Sequence, residues 1–102
     1  MIHVIAAIEV EAGKRDEFIG HFKDNIPNVL AEDGCLEYGP TVDLQTEISV
    51  QVPLRDNIVT IVEKWESLDH LKAHMVAPHM ATYREKVKDI VKGASLQVLE
   101  PA

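Results

Sequence analysis

The sequence predicts an α+β fold of the ferredoxin-like, split βαβ kind, with one antiparallel sheet and both helices on one of its faces. Three observations predict it. Residues 2–11 and 58–65 alternate with the period of a strand. Apolar residues recur at helical spacing between 14 and 31 and again between 68 and 93. The stretches follow one another as β-α-β-β-α-β, which is two βα units joined through a central hairpin. No low-complexity segment or linker interrupts the 102 residues, so one domain, 1–102, is expected. A chain of this length can bury roughly two-thirds of the surface it exposes when unfolded, enough for a core without metal or disulfide staples.

In the first strand Ile2, Val4, Ala6, Ile8 and Val10 share one face, and His3, Ile5, Ala7, Glu9 and Glu11 the other. After Gly13, the apolar positions Phe18, Phe22, Ile26 and Val29-Leu30 lie among charged residues and predict an amphipathic helix over about 14–31. Pro27 removes a backbone donor inside it, which predicts a kink near Lys23–Ile26. Asp33-Gly34 ends it through a residue that tolerates positive φ. Alternation returns from Cys35 to Leu44, with Leu36, Tyr38, Val42 and Leu44 of one parity, and Gly39-Pro40 places this strand at an edge or bends it. A short β-like piece, Ile48 to Val52, precedes the turn-rich run Pro53–Asn57. Ile58 to Trp65 is the strongest strand, with Val59, Ile61, Glu63 and Trp65 on one face, and its other face is apolar enough to suggest cover on both sides.

Ser67 is a suitable N-cap and Asp69 a favourable first-turn charge for a helix beginning at Leu68. That helix runs through Leu71 and Met75 to Ala77. Pro78 then opens a second helical segment carrying Met80, Tyr83, Val87 and Ile90-Val91 and stopping at Gly93. Ser95 to Leu99 is the last strand. Helices on one sheet face leave the other open. An open face carrying Trp65 and aliphatic residues would be a large apolar patch, so a homodimer that buries two sheets face to face is expected, with a ligand cavity between sheet and helices or between partners.

Composition excludes several functions. With 10 Lys+Arg against 17 Asp+Glu the formal net charge is −7, and no basic cluster supplies the field that nucleic acid requires. The longest apolar stretches, such as Val4–Ile8, fall far short of the about 20 residues that span a bilayer. Met1-Ile2-His3 leads directly into a strand pattern without a secretory leader, and the single cysteine, Cys35, cannot form an internal disulfide. A cytoplasmic protein is expected. Cys35 has no basic neighbour in sequence and reads as a small packed hydrophobe. Glycine-rich phosphate loops, serine nucleophile motifs and CxxC pairs are absent.

The block from Val29-Leu30 through Asp33-Gly34 to Tyr38, the block Ile61–Ser67, and the His70, His74, Pro78-His79-Met80 and Tyr83 that follow resemble the antibiotic biosynthesis monooxygenase family, above all its small bacterial quinol monooxygenases. The resemblance runs from the first strand to the last and is weakest over 45–57. It implies a dimeric α+β barrel and oxygenation of hydroquinone- or anthrone-like aromatics without metal, flavin or haem, with O2 as co-substrate. The family also includes haem-degrading enzymes, which use an Asn near the first strand that this chain lacks, and an isomerase of a phosphorylated signalling sugar derivative.

Cofactor-free oxygenation requires an electron-rich substrate anion, hence a base and an apolar box. His74 is the first candidate base, since an imidazole titrates near neutrality; the competing reading is a half-buried helix histidine bonded to backbone. His79, at a helix start where the dipole disfavours the imidazolium, is a second base or a polar helix-start residue. His70 and His74, four apart, with His79 as a third ligand, have the spacing of a metal site, but Pro78 re-aims the chain between them and no His-Glu-x-x-His pattern is present, so no metal is assigned. Trp65 is either core or a flat wall for an aromatic substrate, with Ile61 beside it in the box. Glu63, two residues before Trp65 on the same face, is an assisting acid or a paired structural carboxylate. Tyr38 and Tyr83 bond a substrate oxygen or sit at the core rim. The function expected is a cofactor-independent quinol monooxygenase, with isomerisation of a small phosphorylated metabolite, or ligand binding without turnover, as the alternatives.

Overall fold

The computed structural model describes all 102 residues. Its elements are β1 (Ile2–Val10), α1 (Arg15–Leu30), β2 (Cys35–Thr41), β3 (Ile58–Trp65), α2 (Leu68–Met75), α3 (Pro78–Val87) and β4 (Val91–Leu99). The four strands form one antiparallel sheet in the order β2-β3-β1-β4, which is the ferredoxin-like arrangement predicted. β2, the strand with Gly39-Pro40, lies at an edge, where a missing amide donor is tolerated.

Register fixes the two faces. Val4 pairs with Glu63 and Ala6 with Ile61, so the even positions of β1 and the odd positions of β3 share one face. This face is sealed: Val4, Val10, Val59 and Trp65 are fully buried with Phe18 and Phe22 of α1. Each such side chain contributes about 1.5–3 kcal/mol of hydrophobic stabilisation. Trp65 therefore belongs to the helix-covered core, and the expectation that it lies on the open face is corrected. Parity groups Trp65 with Ile61 and Glu63, but it is where the helices pack that decides which face is covered. The opposite face carries Ile5, Ala7 and Val62 among Thr60 and Lys64, all half-buried.

Ser67 Oγ accepts from the His70 amide at 3.3 Å as the N-cap of α2, and Pro78 occupies the first turn of α3. α1 continues as one helix through Pro27, which sits in its last turn. The turn that follows needs glycine twice over: Gly34 has φ +80°, and a Cβ there would overlap the His70 ring. No helix is long and apolar enough to cross a membrane.

The structure differs from the prediction along β2, after it, and at the α3–β4 junction. β2 stops at Thr41, not Leu44, and Ile48–Val52 forms no strand. The ladder to β3 ends at the Thr41–Thr60 pair, so alternation beyond it meets no partner strand within the chain. A bulge between Cys35 and Glu37 also flips parity in β2, exposing Leu36 while Tyr38 stays buried. Finally, α3 ends at Val87 and β4 begins at Val91. Ile90 donates to Val87 O in a turn, its own carbonyl accepts from Glu11, and Val91 pairs with Val10. The β-branched Ile90-Val91 serves the sheet, not the helix.

Candidate active site

Between the sheet and the helices lies an open cavity of about 450 Å³ with a mostly apolar lining. Ala6, Ile8 and Ile61 form its floor, Phe22 and Tyr38 one side, and Leu71, His74, Met80 and Tyr83 the roof. The aromatic wall is ordered by mutual contact: Phe22 stacks on Tyr38 at 4.9 Å between ring centres and 16° between planes, and meets Tyr83 edge-on. Five of the seven residues predicted for the site, His74, Glu63, Tyr38, Tyr83 and Ile61, are thus brought to one cavity.

Two polar pairs are built into this apolar wall. His74, only 3% exposed, places Nδ1 2.8 Å from Glu32 Oε2. A carboxylate on Nδ1 selects the tautomer with its proton there and leaves Nε2, which has no protein partner, as acceptor. In the second pair, Trp65 Nε1–H donates to Glu63 Oε1 at 2.9 Å. Burial pushes the Glu63 carboxyl above the usual carboxylate range, against the lowering effects of the Trp65 indole and of His74, and nearby Glu32 adds to the rise. The pairs meet where the Trp65 and His74 rings pack at 4.7 Å. Burial likewise raises the Tyr38 and Tyr83 phenols, Glu63 adding to both, so each stays a neutral hydroxyl able to donate to a substrate oxygen. The Cys35 thiol is raised by burial and by Glu32 and Glu63, as an inert cysteine should be.

Two predicted residues stand elsewhere. Trp65 is not part of the cavity wall; it lies behind Glu63 and His74 and supports them, so the expected flat wall for substrate is supplied by Phe22 and Tyr38 instead. His79 also misses the cavity: its Nε2 lies 3.2 Å from Glu32 Oε2 without hydrogen-bond alignment, and its ring borders a small polar recess between α1 and α3. It reaches His74 only through that shared carboxylate. His70 turns away from His74, its Nδ1 2.7 Å from Ser67 Oγ and its Nε2 3.3 Å from Asp33 Oδ2, so the i,i+4 pair does not converge. Glu32, the partner that orients His74, was invisible to spacing arguments. It is 42 residues away from His74, and its only sequence signal is its place beside the Asp33-Gly34 turn.

The chemistry available is proton removal by an oriented imidazole inside an apolar box, with a carboxyl of raised pKa able to return a proton. The profile of the family described as antibiotic biosynthesis monooxygenase matches residues 1–86. A protein of Escherichia coli (strain K12) named probable quinol monooxygenase YgiN is 40% identical over 103 residues, covering 99% of this chain and 98% of its own. Among solved structures, a conserved protein of Methanosarcina mazei Go1 superposes with a TM-score of 0.82 at 24% identity, covering 99% of this chain and 92% of its own. Rv0793 of Mycobacterium tuberculosis superposes with 0.79 at 22% identity, covering 99% and 94%.

Proposed function

Because this chain belongs to the antibiotic biosynthesis monooxygenase family, we propose that it is a cytoplasmic, homodimeric monooxygenase that oxidises a quinol-like aromatic with O2 without metal, flavin or haem. The observation that carries the reading is the buried His74–Glu32 pair set in the wall of an apolar cavity large enough for a bicyclic aromatic. The relative named as a quinol monooxygenase supports the substrate class.

In this mechanism the aromatic lies against Phe22 and Tyr38, and Tyr38 or Tyr83 donates a hydrogen bond to one substrate oxygen. His74 Nε2 takes a phenolic or enolic proton, and Glu32 steadies the imidazolium formed. The substrate anion passes one electron to O2, the resulting radical pair combines at a ring carbon, and the hydroperoxide, protonated from Glu63, collapses to a carbonyl with loss of water. One oxygen atom stays in the product and the other leaves as water.

The test is O2 uptake by metal-stripped protein with a panel of naphtho- and benzohydroquinones, against an autoxidation control and His74→Ala. Uptake above control that drops about 10²- to 10⁴-fold in the variant is expected for loss of a general base. Absence of enzyme-dependent uptake across the panel would overturn the oxygenase reading in favour of isomerisation by the same base, or of ligand binding without turnover.

A further inference from the structure

Two apolar features of the chain have no partner within it. The first is the segment 42–57 between β2 and β3. It has no strand or helix, yet its base is clipped: Arg55 donates from Nε and Nη2 to the two Asp43 oxygens at 2.9 Å each, and from its amide to Asp43 Oδ2 at 3.0 Å. Gln51 Nε2 donates to Leu44 O across the loop at 2.5 Å. This shaped arm then presents Leu44, Ile48, Val50 and Val52 to solvent, Val50 at 89% exposure. The second is the cavity mouth. The helices pack over β2 and β3, so the helix-side face of β4 is uncovered. There Ala94 and Leu96 line the opening, Leu96 at 49% exposure, and Val98 continues the strip.

Within one chain these features do not meet, and both stay exposed. The arm springs from β2, and the open strand is β4, at the opposite edge of the sheet, three strand spacings or about 14 Å away. Two copies can join them. A two-fold axis brings the β2 side of one protomer to the β4 side of the other, makes the contact twice and closes the assembly. Charge agrees with the pairing. Glu47 is the arm's one charge between 44 and 54, and Arg84, at the cavity rim, has no carboxylate partner of its own.

We infer that the 42–57 arm of each protomer seats on the β4 side of its partner's cavity mouth, so that Leu44, Ile48 and Val50 complete the partner's site. The inference rests on the homodimer of the proposed function and adds a residue contribution in trans. A chemistry that generates a substrate anion and a radical pair needs water excluded, and the protomer alone leaves its cavity open. The second copy closes it.

Photo-cross-linking tests this without reference to turnover. A benzophenone maleimide is attached at Val50→Cys in a Cys35→Ser background, with Leu44→Cys as a second probe site and Lys23→Cys, on the exposed face of α1, as control. Irradiation is expected to give a covalent dimer several-fold more abundant from Val50→Cys or Leu44→Cys than from the control. Its cross-linked peptide should map to β4 or to the rim from Met75 to Lys88. Cross-links confined to the monomer, or a covalent dimer mapped elsewhere, overturn the inference while leaving the dimer to sedimentation equilibrium and the chemistry to O2 uptake. A monomer by sedimentation overturns both the arm contact and the homodimer.

Discussion

The β3–α2 side of the core and the 42–57 arm are both rich in apolar residues, and the structure treats them oppositely. On the β3–α2 side, Val59, Ile61 and Trp65 are buried, and among them Glu63 Oε1 and His74 Nδ1 are hydrogen-bonded within the chain. In the arm, residues of the same kind face solvent, while the hydrogen bonds hold the loop's own shape. The β3–α2 side is thus finished within one chain, whereas the arm's apolar side chains find no cover in it.

The largest expected effect lies in the core behind the cavity. Trp65→Ala removes the largest fully buried side chain and should destabilise the fold by about 3–5 kcal/mol in urea unfolding. Val50→Ser, in the arm, should change the protomer's own stability by under about 0.5 kcal/mol; if the arm seats on a second copy as inferred, its effect should appear as a lower Tm at a given protein concentration and a weaker dependence of Tm on that concentration. Next comes Gly34→Ala, which forces a Cβ into positive φ and onto the His70 ring. A loss of about 1–3 kcal/mol is expected, together with displacement of α2, which carries His74.

A smaller and pH-dependent effect is expected at Glu63. Burial raises its pKa in the folded state, so folding favours the protonated carboxyl. The stability from that proton is fully present below the ordinary carboxylate range and is lost as pH rises through the raised folded value. Glu63→Gln cannot ionise and still accepts from Trp65, so its Tm relative to the parent should climb as pH rises from the ordinary carboxylate range, about pH 4, through the raised folded value. A constant difference across that span would show that Glu63 is not desolvated. Ser67→Ala removes the α2 cap and should cost about 1 kcal/mol in thermal unfolding.

The same contrast sets how much the sequence revealed. β1, β3, the Ser67 cap and the Pro78 helix start are written in local periods and single residues, and each was legible. Parity placed Ile61, Glu63 and Trp65 on one face but could not say that the helices cover it. Ile48, Val50 and Val52 alternate as a strand does, and only the absence of a ladder partner in the fold makes them a loop. Ile90-Val91 suit a helix's apolar stripe and a strand equally, so the α3–β4 boundary was decided by the pairing of Val91 with Val10. Glu32 shares no period with His74, and the two meet only because the Gly34 turn brings the end of α1 beside α2.

The His74–Glu32 pair is central to the proposed chemistry, and its role can be measured without O2. A naphthohydroquinone bound anaerobically reports its own ionisation through the red-shifted absorbance of its anion, so spectra are compared for the parent protein, His74→Gln and Glu32→Gln. The anion band is expected in the parent at neutral pH, with its loss in His74→Gln and its weakening in Glu32→Gln, where the imidazolium loses its carboxylate. An anion band of equal strength in all three would show that the proton leaves by another route and would contradict the assignment of His74 as its acceptor.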